Sequence, residues 1–193
     1  MTSSLPIGIE DCGESSFLWL APFAPPKGWT KVPRGGMCLC AFLFVMSGRK
    51  ILLGKYAEHP AWEQLCGMDN KRIKINIHGW TIPASHLKFG EDPRDTARRI
   101  GGQILTLDKG LVYSEPYVKT FFYEPAIAPG EKHFDVLFLF ETSVEAGVKI
   151  HTPPWYEALE WFDIGTVQCG QFARQHEDVV ETWLNHRAEF FDR

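Results

Sequence analysis

The sequence lacks any apolar run long enough to cross a bilayer: Met37–Met46, its longest, has ten residues, where a helical span needs about 20. It also lacks a run of lysine or arginine, and 24 acidic against 20 basic residues leave a net charge of −4. A duplex nucleic-acid partner, which needs a series of neutralised phosphates, is excluded on that ground. There is no paired cysteine framework either. Cys12, Cys38, Cys40, Cys66 and Cys169 are odd in number and scattered, a usage that points to the reducing cytoplasm. Residues 1–28 carry no basic leader, and Pro22 interrupts the apolar stretch Phe17–Ala24, so they read as an N-terminal arm rather than a secretory signal. Internal repeats and low-complexity segments are absent as well.

What is present suits one core. With 193 residues, 45% hydrophobic and 23% charged, the composition is that of a globular domain and not of a disordered chain. Pro22, Pro25 and Pro26 close the arm, and the domain proper spans 29–193. Cys38–Val45 is continuously apolar and β-rich, the pattern of a strand buried on both faces. Ser47-Gly48-Arg49-Lys50 then turns the chain into Ile51–Tyr56 to make a hairpin. Residues 57–70, with Pro60 and Gly67, read as irregular. Ile73, Ile75 and Ile77 alternate with Lys74, Asn76 and His78 and predict a half-buried strand. Leu111–Tyr123 and Phe134–Glu141 predict two more strands around the Pro129-Gly130 turn. A helix begins at Asp92 as N-cap with Pro93 at its first position, and a second, over about 172–190, carries Phe172, Val179, Val180, Trp183 and Leu184 on one stripe. Cys38 and Cys40 point to the same face of their strand. With Cys66 or His59 they offer zinc ligands, although buried strand cysteines more often serve as small apolar core residues.

From Trp80 the chain reads W-T-I-P-A-S-H-L-K-F-G-E-D-P-R-D-T-A-R-R-I-G-G-Q-I-L-T-L. This resembles the Nudix box of the MutT-like hydrolase superfamily, G-x5-E-x7-R-E-U-x-E-E-x-G-U with U a bulky aliphatic residue. Trp80, Ile82 and Pro83 match its approach. Ser85 stands at the first glycine, Glu91 and Arg99 keep the seven-residue spacing, and Leu107 matches the end, so the box covers 85–107. The hairpin before it, the strands after it and the C-terminal amphipathic helix follow the family's order over about 29–193. The resemblance implies an α/β (α+β) fold, a Nudix-type α/β/α sandwich with a mixed central sheet.

The departures fall on the chemistry. The three glutamates of the R-E-U-x-E-E segment correspond here to Ile100, Gln103 and Ile104, which are lost ligand positions. In active relatives those carboxylates share a helical face and hold a divalent ion against a diphosphate. Gly101 and Gly102 further weaken the helix at this point. Glu91 is the remaining candidate for catalysis or metal binding, with Arg99 as its structural support. Trp80, His78, His86 and Lys88 are candidates for ligand binding, and Tyr117, Phe121, Phe122 and Tyr123 for stacking on a base. Glu115, Glu124, Glu141, Glu157 and Glu160 are carboxylates outside the box that a relocated site would draw on.

The leading expectation is a degenerate Nudix-fold protein that binds a nucleotide-like small molecule, or a partner, with weak hydrolysis or none. The alternatives are an active Mg- or Mn-dependent pyrophosphohydrolase of a nucleoside diphosphate derivative, and a protein-interaction module. A homodimer is compatible with each.

Overall fold

A computed structural model describes residues 37–68, 70–88, 90–107, 110–124, 133–167 and 171–191. The expected arm at 1–28, the domain start near Trp29, Cys12, Cys169 and the Pro129-Gly130 turn lie outside the described residues.

The long apolar segment forms strand β1 (Met37–Ser47), and the turn at Gly48 leads into β2 (Lys50–Tyr56). Because side chains alternate along a strand, β1 feeds two cores at once. Cys38, Cys40, Phe42, Phe44 and Met46 enter one apolar cluster, and Ala41, Leu43 and Val45 enter the other. Leu39, at 38% exposure, departs from the expected burial on both faces. Four further strands complete the sheet: β3 (Ala84–His86), β4 (Tyr117–Tyr123), β5 (His133–Ser143) and β6 (Tyr156–Asp163). The order is β4-β5-β1-β2-β6, with β3 added to β1. Since β1 runs parallel to β5 while the other pairs are antiparallel, the sheet is mixed, as the resemblance implies.

Hairpin pairing between β1 and β2 stops at Met46↔Ile51. Beyond it the two strands part, and the segment Thr81–His86 enters the gap. Thr81 bridges to Gly54 of β2, Leu43 donates to the Pro83 carbonyl, and β3 pairs with Cys40–Phe42. The start of the box loop is thereby fixed inside the sheet.

Helices cover both faces. On one lies α4 (His176–Phe191), whose Val179, Val180 and Trp183 are buried, with Trp183 stacked on Phe44 at 4.2 Å. On the other lie α1 (Ala61–Cys66), α2 (Asn70–Asn76) and α3 (Pro93–Arg99), the last running on into a π-helical turn over Ile100–Ile104. The result is an α/β/α sandwich.

Several expectations are corrected. Residues 70–76 are helical rather than extended: Ile73 and Ile77, four apart, share a face, with Ile73 fully buried and Ile75 turned to solvent at 47% exposure. Five residues of alternation are too short to separate the two periods. The supposedly irregular 57–70 contains α1, closed by Gly67 in the left-handed region. The strand expected from Leu111 starts only after Pro116, leaving Tyr113 as an isolated bridge to Thr142. The last helix starts at His176, because Phe172 bridges to Trp80 and Arg174 and Gln175 have positive φ.

Candidate functional site

The box loop is organised by one ion pair, Glu91 with the buried Arg99. Asp92 caps α3 by accepting the Arg94 N–H at 2.7 Å, and Pro93 opens the helix as the sequence indicates. One turn further, the Thr96 hydroxyl donates to Glu91 Oε2 at 2.8 Å, a partner that spacing alone did not reveal. Arg99 then reaches back across the loop. Its Nε and Nη2 donate to Glu91 Oε1 and Oε2 at 2.8 Å each, its Nη1 to the Leu65 carbonyl and Ser85 Oγ, and its Nη2 also to the His86 carbonyl. All five guanidinium donors are used. Ser85, at the motif's first glycine, supplies one of the acceptors.

Glu91 is correspondingly engaged. A carboxylate offers about four lone-pair sites, and Glu91 accepts from Arg99 twice, from Thr96 and from the Lys88 backbone N–H. The Arg99 hydrogen bond, aided by those of Lys88 and Thr96, lowers its pKa to about 2. At neutral pH it is an anion hydrogen-bonded to the loop and to α3.

Beyond Arg99 the helix widens. Leu105 N–H returns to the Ile100 carbonyl and Leu107 N–H to Gly101, both at 2.9 Å. Ile100 and Ile104 are fully buried among Leu43, Val45, Trp62 and Phe140, whereas Gln103 faces solvent. Gly101 leaves room for Tyr113, since a Cβ there would lie 2.5 Å from the Tyr113 hydroxyl; Gly102 faces open space. Thr106, where the motif has its second glycine, keeps the left-handed φ of +54°. The segment thus runs from helix through a π-helical turn to a left-handed Thr106, with Ile100 and Ile104 in the core.

A divalent ion held as in the family does not fit these residues. Two of the three ligand positions are apolar and fully buried, the third is a neutral amide, and the remaining carboxylate already accepts four hydrogen bonds, three of them on Oε2. Among the described residues, the carboxylates outside the box do not gather into a set of three ligands. Glu115 pairs with Arg94, and Glu141 accepts from Trp183 Nε1 at 2.7 Å and from Arg187. Glu124, Glu157 and Glu160 are exposed. Among the described residues, one set of three potential ligand groups converges, and it is Cys38, Cys40 and His86.

The other candidates are dispersed. Trp80 packs edge-on against Phe162 at 4.7 Å with Lys55 Nζ 4.9 Å from its ring. His78 and Lys88 are exposed. Tyr117 stacks on His186 at 3.8 Å, Phe121 is half-buried, and Phe122 is 66% exposed on the outer strand. The side chain of Tyr123 lies outside the described residues. His86 is not a loop residue beside Glu91. It belongs to β3 directly opposite Cys40, and Ser85, its neighbour, is the one that faces Arg99. Nor do Cys66 and His59 join the cysteine pair. The Cys66 thiol turns to the Trp62 carbonyl, and His59 Nδ1 accepts from Ala61 N–H.

No family model matches the chain, and no curated protein matches it. Solved structures do. A mutT/nudix family protein from Listeria innocua superposes with a TM-score of 0.56 at 16% identity, over 83% of this chain and 98% of its own. The E. coli dihydroneopterin triphosphate pyrophosphohydrolase gives 0.54 at 13% identity, over 77% and 95%. The NUDIX domain of Shewanella oneidensis NrtR, complexed with ADP ribose, gives 0.51 at 13% identity, over 87% and 96%.

Proposed function

From the premise that this chain has the Nudix fold, we propose that it binds a nucleotide-like small molecule without hydrolysing it. One observation carries the reading: Ile100 and Ile104, at positions where active relatives hold metal carboxylates, are fully buried core residues. Hydrolysis of a diphosphate in this fold depends on divalent ions that neutralise charge developing in the transition state. Without ligands to anchor them, the fold retains a scaffold and loses that stabilisation. The four hydrogen bonds that Glu91 accepts support the same reading, because freeing it for a metal would break its ion pair with the buried Arg99.

The test is calorimetry of the full chain with ADP-ribose and with diadenosine tetraphosphate in magnesium, followed by chromatography of the recovered ligand. Binding of at least one, with the ligand intact, is expected. Conversion to mononucleotide products, abolished by Glu91→Gln, would overturn the proposal in favour of a pyrophosphohydrolase. Absence of binding to either would shift the reading to a protein-interaction module.

A further inference from the structure

On the sheet face away from Glu91, two strands bring soft ligands together. Cys38 and Cys40 are two residues apart on β1 and so project to one side. The antiparallel register sets His86 of β3 opposite Cys40, and opposed residues share a face. The two thiol sulfurs are 3.1 Å apart, and one ligand atom from each of the three residues lies within 4.8 Å of the others. Both cysteines are buried at the margin of the cluster containing Phe42 and Leu137.

We propose that Cys38, Cys40 and His86 form a zinc site, with water in the fourth position of the tetrahedron. Ligand atoms around tetrahedral zinc with sulfur and nitrogen donors stand about 3.5–3.8 Å apart, so a small χ1 rotation opens the thiol pair to that spacing. The donor set is soft and suits zinc rather than magnesium. Two thiolates neutralise the dication, and the nearby charges of Asp135, in register with Cys38 on β5, and of Arg174 oppose one another. A bound ion would also answer why two thiols and a histidine converge at the margin of an apolar cluster.

A disulfide fits the strand less well. Extended residues two apart have Cα atoms separated by about 6.6 Å, at the far limit of bridge geometry. Zinc here would pin β3 from one face while Arg99 holds the Ser85 hydroxyl and the His86 carbonyl from the other. The site is independent of the ligand-binding proposal above.

The experiment uses the full chain, purified without a histidine tag and kept reduced, with zinc measured by mass spectrometry and cobalt(II) as a spectroscopic substitute. One zinc per chain and a thiolate-to-cobalt charge-transfer band are expected. Cys38→Ser, Cys40→Ser and His86→Ala should each weaken zinc affinity by more than about tenfold, the loss that removing even an outer partner of a metal ligand causes. Cys66→Ser should leave it unchanged. Should a variant fail to fold, the wild-type chain decides: zinc removal lowers its melting temperature and re-addition restores it. Reduced, folded wild-type chain that takes up no zinc, zinc that persists in the double cysteine variant, or a Cys38–Cys40 disulfide formed in its place would overturn the proposal.

Discussion

Thr106 holds φ at +54°, a conformation that costs an L-residue about 1–2 kcal/mol. The motif that this segment resembles has glycine at that position, and here the turn is made with threonine. Glycine's greater freedom in the unfolded chain offsets about 0.5–1 kcal/mol. Thr106→Gly is therefore expected to stabilise the protein by about 0.5–1 kcal/mol in urea unfolding; a loss would show that the exposed threonine makes a contact outweighing its backbone strain. At this scale the sequence was informative where spacing decides and silent where register decides. Glu91, Arg99 and the Asp92 cap were legible from intervals along the chain. His86 as the neighbour of Cys38 and Cys40 was not, because its place depends on β3 entering the gap between β1 and β2, a long-range pairing that no local pattern encodes.

At the scale of elements, the π-helical turn over Ile100–Ile104 separates two adjacent glycines that sequence reading treated alike. Gly101 faces the Tyr113 hydroxyl, 2.5 Å from where a Cβ would stand, whereas Gly102 meets nothing within 4 Å. The signs should consequently differ. Gly101→Ala overpacks the contact and is expected to destabilise by about 1–3 kcal/mol. Gly102→Ala is expected to stabilise by up to about 0.8–1 kcal/mol, the helix preference of alanine over glycine. Thermal or chemical unfolding of the two variants side by side checks this, and equal effects would contradict the assigned contact. Residues 70–76 show the same dependence on packing. Three isoleucines in five residues fit a strand and a helix alike, and packing of Ile73 into the core beneath α2 chose between them.

At the scale of the whole molecule, His176 and Glu91 each tie stability to pH, in separate windows. His176 is buried as a neutral ring whose Nδ1 accepts the Ile82 N–H at 3.0 Å, and burial, aided by the Arg174 charge, holds its pKa well below 6.5. Below pH 6.5 the unfolded chain takes up a proton there that the folded one does not, so stability falls as pH drops. Glu91 acts lower. Its pKa of about 2, against an ordinary 4.5, gives stability that is complete above 4.5 and lost as pH falls towards 2. Unfolding free energies between pH 7.5 and 5.5 should decline less steeply in His176→Asn than in the wild type, and parallel slopes would contradict the assignment. Fold and mechanism thus have different bases in the sequence. The layers follow from apolar patterning distributed over the chain, while the expected chemistry rests on carboxylates at three positions, of which two are core isoleucines and one an exposed glutamine. The most direct test of this central claim is manganese(II) titration followed by electron paramagnetic resonance, in the presence of ADP-ribose and with Cys38→Ser/Cys40→Ser as background. The free-ion signal should match that of a sample with ADP-ribose alone. A protein-dependent loss of signal that Glu91→Gln abolishes would mean that a metal centre persists in the box, and the account would be wrong.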